Sequence, residues 1–347
     1  MRADNRLSKS LEEAFINNDT QYNFGGWAPQ KLFPTPVYLI QTFNINNSET
    51  NTYFSRNAFD YFLVDNPSKN LTIFNQIGSV IYAGGSSPNL SLMSFSYNGQ
   101  DWEVIPSLND LCGKWVSMLY FKDQYFALGQ GGNLNIEIVA YSNDGYNFTG
   151  DTTAYSAFTG SIRSFFNAVN SNNKIFATAN QNPVLQVSTD GINYSGDPYF
   201  FTFSAAGINS IVYQNNQVIC STGDKLVWSN DDGNTWTTTT ITGTTTNVVY
   251  DGSRFVIGAL LPGNSGTRIY TANTLSSITY VGLVPQSCIA LGYDGTKYFA
   301  SRSSINDDMF YSTDLINWTS LVPTGIDLSV DKYFYFGSNT PFYTEIP

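Results

Sequence analysis

Histidine does not occur among the 347 residues. A Ser-His-Asp triad, a Cys-His dyad and His-ligated zinc or haem are therefore excluded. General acid-base work would fall to Asp, Glu or Tyr. A glycosidase would need two carboxylates roughly 5–10 Å apart across a sugar. Asp110, Glu137, Asp151, Asp197, Asp307 and Asp308 lie in suitable connections, and no pair among them stands out. Asp307 and Asp308 are adjacent and read as solvated loop residues. Arg163, Arg268 and Arg302 could grip an anionic ligand. Two long connections add aromatic rings, Tyr155 and Phe158 in one and Tyr199, Phe200 and Phe203 in the other. Such rings can stack on sugars or anchor a protein interface, and they can equally plug a channel. These eight residues form the candidate ligand site. No catalytic residue, metal ligand or cofactor is assigned. Gln130-Gly131-Gly132-Asn133 is a turn and not a phosphate loop, because no helix pattern follows it.

The elements that must position these residues have an unusual composition. Charged residues make up 12% of the chain and aromatics 16%. Polarity comes from Asn, Ser, Thr and Gly, a composition that suits β-structure. The net charge of −11 and the pI near 4.3 argue against nucleic acid and against an anionic membrane surface. No stretch reaches the roughly 20 apolar residues of a membrane span. Cys112, Cys220 and Cys288 cannot all pair, and the last two read as small buried hydrophobes. Met1-Arg2-Ala3-Asp4-Asn5-Arg6 has no apolar segment behind it, so no secretory signal is expected. That predicts synthesis in the cytoplasm.

One motif recurs along the chain, Ser-x-Asp-Gly-x-x-aromatic. Clear copies are Ser142, Asp144, Gly145 and Phe148; Ser188, Asp190, Gly191 and Tyr194; and Ser229, Asp231, Gly233 and Trp236, the last one residue longer. In a fourth, Ser312, Asp314 and Trp318, Leu315 replaces glycine. Ser96, Asn98 and Trp102 make a weaker copy. Ser55-Arg56-Asn57 with Tyr61, and Thr271-Ala272-Asn273 with Tyr280, are degenerate. The starts at 55, 96, 142, 188, 229, 271 and 312 give a period of 41 to 46 residues, that of a four-stranded propeller blade. The chemistry is that of a turn: Asp or Asn bonds the backbone two residues on, and Gly supplies positive φ. These residues are assigned a structural role.

Between the boxes lie apolar hairpins, such as Lys174-Ile175-Phe176-Ala177 and Lys297-Tyr298-Phe299-Ala300. The pattern predicts an all-β, seven-bladed propeller of four-stranded antiparallel blades over residues 36–347. The expected closure joins the last apolar hairpin, near 327–337, to the first box hairpin, near 51–65. Both ends of the chain would then lock one blade and hide its strand edges.

The boxes resemble the Asp-box, or BNR, repeat of sialidase-like β-propellers, over about residues 50–323. The Asn- and Thr-rich, low-charge style also resembles virion and tail proteins of phages and large DNA viruses. A sialidase would need three arginines on the carboxylate, a Tyr-Glu nucleophile pair and an Asp acid/base. The usual Arg-Ile-Pro string is here Val104-Ile105-Pro106. The sequence therefore favours a non-enzymatic virion component, capsid-decorating, fibre or tail, that binds a host glycan or a neighbouring virion protein. A sialidase-like glycoside hydrolase and a cellular assembly-factor propeller are the alternatives.

Residues 1–35 lie outside the repeat. Leu7, Leu11 and Phe15 have helical spacing, and an extended segment with Trp27 and Phe33 follows. Such a segment cannot form a core alone. It is expected to dock on other virion proteins.

Overall fold

The computed structural model describes residues 38–44, 49–57, 59–60, 62–65, 73–78, 80–87, 90–109, 111–131, 138–151, 165–179, 185–197, 208–214, 216–288, 290–301, 309–326 and 331–338. Among them, six consecutive groups of four strands each form one antiparallel sheet. Blade I holds β4 (Ile73–Ile77), β5 (Val80–Ser87), β6 (Leu90–Ser96) and β7 (Glu103–Val104). Blade II holds β8 (Lys114–Phe121), β9 (Gln124–Gln130), β10 (Val139–Ser142) and β11 (Thr149–Asp151). Blade III holds β12 (Phe165–Asn170), β13 (Ile175–Ala179), β14 (Leu185–Ser188) and β15 (Ser195–Gly196). Blade IV holds β16 (Ser210–Gln214), β17 (Gln217–Thr222), β18 (Lys225–Ser229) and β19 (Thr237–Thr240). Blade V holds β20 (Thr244–Tyr250), β21 (Phe255–Leu260), β22 (Thr267–Thr274) and β23 (Ser277–Val284). Blade VI holds β24 (Ala290–Tyr293), β25 (Tyr298–Ser301), β26 (Met309–Ser312) and β27 (Thr319–Leu321).

The expected closure, and with it the expectation of seven like blades, needs correction. Six blades are complete within consecutive strands, and the chain ends meet in a seam of a single two-strand pairing. β1 (Tyr38–Asn44) pairs with β28 (Asp331–Ser338) on one side and β2 (Glu49–Ser55) on the other. With β3 (Phe62–Val64) the order is β28-β1-β2-β3. The C-terminal segment thus supplies one strand and not a hairpin, and the N-terminal segment supplies three. The reason is visible in the register. Tyr335 pairs with Gln41 and Tyr333 with Thr42, which leaves Phe334 in a bulge. The first strands of blades II, III and V carry the same kind of bulge against their second strands, at Trp115/Ser117, Phe165/Asn167 and Thr245/Asn247. The residues around Phe334 therefore form a first strand, not the second strand that the sequence pattern suggested. A bulge adds local twist to the strand that carries it.

First strands lie innermost. β4 packs on β8, β8 on β12, β12 on β16, β16 on β20, β20 on β24, and β24 on β28. The second strands are almost wholly buried, as in β13 and β21. The outer strands are polar and open, as in the four threonines of β19. Apolar side chains are therefore concentrated between blades. One cluster joins Phe121, Phe126 and Leu128 of blade II to Phe165, Ile175 and Tyr194 of blade III. Others repeat the arrangement at blades I/II and V/VI. The seam sheet is held from both sides: Leu39 and Phe54 pack with Ile81, and Tyr53 packs with Phe299 and Met309. A parallel bridge, Asp60 to Thr324, adds a backbone link to blade VI. The three cysteines are free and buried, and burial pushes the Cys112 thiol up to about 12. No helix among the described residues is long and apolar enough to cross a membrane.

One contact sets the spacing between blades. The box glycine of each of blades II, III and IV lies on an aromatic ring from the second strand of the blade before it. A Cβ at Gly145 would come within 2.7 Å of the Tyr82 hydroxyl, and one at Gly233 within 2.7 Å of the Phe176 ring. One at Gly191 would overlap the Phe126 ring. All three glycines have positive φ, 74°, 82° and 78° for Gly145, Gly191 and Gly233. Blade VI inverts the arrangement. Leu315 holds the glycine position at φ 66°, and the ring position of the preceding blade is Val256. Both belong to one buried cluster. A large box residue is thus matched to a small neighbour.

Gly191→Ala should cost about 2–4 kcal/mol, from left-handed strain and overpacking. Adding Phe126→Leu should recover part of it. Leu315→Gly should also destabilise, because a buried leucine is worth about 2–5 kcal/mol and relief of its φ only about 1–2 kcal/mol. Urea unfolding of the three variants measures these effects, and a stabilised Leu315→Gly would refute the matched-pair account.

Candidate functional site

Six of the boxes form one hydrogen-bond brace, including the Ser55 copy that looked degenerate in sequence. In the Ser142 box, the Ser142 hydroxyl donates to Asp144 Oδ1 at 2.8 Å and accepts from the N–H groups of Asp144 and Gly145. Asp144 Oδ1 also accepts from the N–H groups of Tyr146 and Asn147. The Ser188, Ser312 and Ser96 boxes repeat the serine contacts. In the Ser229 box the inserted Asp232 takes φ 61°, and the serine still reaches Gly233 N–H at 2.8 Å. The Ser55 hydroxyl donates to Asn57 in the same way.

The sixth position of each box completes the brace by a rule the sequence reading missed. Where the third residue is Asp, an amide or hydroxyl faces it: Asn147, Asn193 and Asn317 donate to Asp144, Asp190 and Asp314, and Thr235 donates to Asp231. Where the third residue is Asn, a carboxylate faces it: Asn57 donates to Asp60 and Asn98 to Asp101, each at 2.7 Å. Acid and amide exchange places in five of the boxes, and in the Ser229 box the Thr235 hydroxyl stands in for the amide. The donors hold the Asp144 and Asp314 carboxyls below the usual range, with the Asn147 and Asn317 N–H groups the largest causes. At Asp190 burial pushes upward, and the donors from Asn193, Ile192 and Ser188 overcome it to give about 2. The polar groups of these boxes are therefore bonded within their own turns.

The Thr271 copy forms no brace. β22 and β23 continue into a hairpin that pairs Thr274 with Ser277, and no hydrogen bond joins Thr271 to Asn273. At this break, on blade V, lies a cleft of about 370 Å³ lined by Arg254, Thr271, Asn273, Thr274, Ser277 and Thr279. The sheet places them together. Phe255 pairs with Ala272, so the flanking Arg254 and Asn273 share a face, and Thr271 pairs with Thr279 on that face. Arg254 is fixed by the tight turn before it. Its Nε donates to Asp251 Oδ2 at 3.1 Å, in a pair whose arginine side chain is 36% exposed and whose aspartate is 4% exposed. Asp251 also accepts from the N–H groups of Ser253 and Arg254. From blade VI the Tyr298 hydroxyl donates to Asp251 Oδ2 at 2.6 Å. Burial and this bond to Asp251 push Tyr298 up to about 12. Neither Asp251 nor Arg254 is among the candidate ligand residues read from the sequence. The usable signal was the box itself, where threonine replaces the serine and Ser276 stands at the position from which Asp60 and Asp101 face Asn57 and Asn98.

Of the candidate ligand residues, Tyr155, Phe158, Arg163, Tyr199, Phe200, Phe203 and Arg302 lie outside the described residues, as do Leu7, Leu11, Phe15, Trp27 and Phe33 of the arm. Arg268 sits on the third strand of blade V with its guanidinium 5.6 Å from the Tyr280 ring on the fourth. Asp197 is buried and accepts from Trp236 Nε1 at 3.2 Å. Asp151 is the last residue of β11. Asp110, Glu137, Asp307 and Asp308 lie outside the described residues. Other basic side chains bind the next blade: Lys122 reaches Thr189 O at 2.7 Å and Lys174 reaches Asp232 O at 2.8 Å.

Exchanging Asp190 and Asn193 tests the brace rule. Asn193→Asp alone sets two carboxylates together and should cost about 1 kcal/mol at this exposed pair. Asp190→Asn with Asn193→Asp should restore stability, because it rebuilds the Asn98/Asp101 arrangement. A thermal denaturation series reads both. The same carboxyls set the acid response. An unfolded Asp titrates near 3.9, and the folded Asp190 lies lower. Its contribution is complete above pH ~4 and is lost as pH falls toward about 2. Melting temperature should fall over that window, and Asp190→Asn should flatten the fall.

Comparison with known proteins gives the fold and stops there. No protein-family model and no curated protein matches the chain. Among solved structures it is similar to virginiamycin B lyase from Staphylococcus aureus, at 11% identity and a TM-score of 0.57 over 84% of this chain and 90% of that one. It is similar to a functionally unknown protein from Desulfotomaculum acetoxidans at 9% identity and 0.53, over 83% and 99%. Apo AztD from Citrobacter koseri gives 9% identity and 0.52, over 88% and 97%. At these identities the likeness establishes a β-propeller of four-stranded antiparallel blades, a scaffold that serves both catalytic and non-catalytic proteins.

Proposed function

We propose that the chain is a non-enzymatic binding propeller, a capsid-decorating, fibre or tail component of a virion that holds a host glycan or a neighbouring virion protein. The cleft at Arg254 carries the binding part of this reading. Six boxes use their polar groups internally, and the one that does not leaves a ligand-sized opening beside an exposed guanidinium. The virion setting is supported by composition: 12% charged residues, net charge −11, and polarity drawn from Asn, Ser and Thr. Exposed threonines on β19 and β23 continue that character on the outer strands.

The sialidase-like alternative draws on one constellation, the Tyr298 hydroxyl on a carboxylate with an arginine beside it. Its electrostatics weigh against attack on a sugar. A tyrosine pushed up to about 12 stays protonated at neutral pH, and its hydrogen is already committed to Asp251. It serves better as a fixed donor than as a nucleophile.

A glycan array probed with the full-length chain, alongside turnover of fluorogenic glycosides, tests the proposal. The expected outcome is selective binding without turnover, with binding reduced in Arg254→Met or in Tyr155→Ala with Tyr199→Ala. Turnover above the uncatalysed rate would overturn the non-enzymatic reading. Absence of binding to every glycan, with assembly into particles also absent, would overturn the binding propeller.

A further inference from the structure

We propose that the Arg254 cleft holds the carboxylate of an acidic saccharide, with a uronic acid unit as its smallest ligand. The inference rests on the reading of the chain as a binding propeller and names the ligand class of this one site. Arg254 is the only basic residue of the cleft lining, and it already shares its charge with Asp251, so the site suits at most one further carboxylate. It is oriented before any ligand arrives, because Asp251 takes its Nε and the Tyr298 hydroxyl of blade VI lies beside the guanidinium. Asp251 is itself held by Tyr298, the Ser253 hydroxyl and two backbone N–H groups, so the arginine is set by a buried and fully engaged support. The rest of the lining is four hydroxyls from Thr271, Thr274, Ser277 and Thr279 and one amide from Asn273. Each can donate and accept, which suits the hydroxyls of a pyranose ring. The cleft, about 370 Å³, has room for one sugar residue.

Charge selects further. A chain of net charge −11 repels polyanions at long range, and a single guanidinium does not offset several phosphates. One carboxylate on a neutral, hydroxylated ring meets both conditions. Neutral sugars would lack the charged contact, and inorganic sulfate would bring no ring hydroxyls for the lining to partner.

The test is calorimetric and saturation-transfer NMR titration of the full-length chain with glucuronate, glucose and inorganic sulfate. The expected result is saturable glucuronate binding in the millimolar range, at least tenfold tighter than glucose and than sulfate. Arg254→Met should lose at least tenfold. Asn273→Ala should lose a fewfold with an unchanged melting temperature, because Asn273 is exposed and supports no turn. It keeps the test intact where Arg254→Met unfolds by stranding Asp251. Equal binding of glucose, equal binding of sulfate, or undiminished affinity in Asn273→Ala and Arg254→Met would each overturn the inference. Glycan-array binding that survives Arg254→Met would overturn it too and leave the binding propeller standing with its site elsewhere.

Discussion

Each braced turn of this propeller depends on one buried serine hydroxyl. Ser142, Ser188, Ser229 and Ser312 are nearly inaccessible, and each of these oxygens makes every bond it can. It donates once to a carboxylate and accepts two backbone N–H groups. A buried hydroxyl with these bonds missing would cost more than the bonds contribute in solution. The box therefore persists where its other residues drift. Glycine gives way to Leu315, acid and amide exchange at Asn57 and Asn98, an extra Asp232 is inserted, and the serine remains.

The brace also fixes how blades meet. It sets the glycine at positive φ and turns its bare face toward the preceding blade, where Tyr82, Phe126 or Phe176 lies against it. Local turn chemistry and the packing between blades are thus one arrangement. Where the ring is replaced by Val256, Leu315 fills the volume. Where the ring position is Ile219, Leu275 is buried in the same cluster. Strand edges need little charge for protection in such a ring, and only one ion pair, Asp251 with Arg254, occurs among the described residues.

The sequence made the blade period legible because the turn residues have few physical substitutes at a left-handed position. The apolar hairpins were legible for a similar reason, since second strands buried on both faces read as unbroken apolar runs. The closure was less legible. Lys332-Tyr333-Phe334-Tyr335 has the polar-then-apolar pattern of a second strand, yet it pairs as a first strand. That pattern records burial on two faces, and both inner strands share it. The bulge that tells them apart is a property of register between residues about 300 positions apart, which no local pattern carries.

The cleft was hidden for a different reason. Its residues are threonines, a serine, an asparagine and one arginine, types that the outer strands carry everywhere, and its support comes from Asp251 of one blade and Tyr298 of the next. No spacing in the chain marks that contact. What marks the place is the failure of the repeat at Thr271. A repeat under a strict structural requirement can lose its brace only where something else holds the turn, and here the extended hairpin of β22 and β23 does so. Freed from bracing, the polar groups at this turn are available to a ligand, and Arg254 stands among them already oriented. Departure from the repeat, more than conformity with it, is therefore where function is to be sought in a scaffold of this kind.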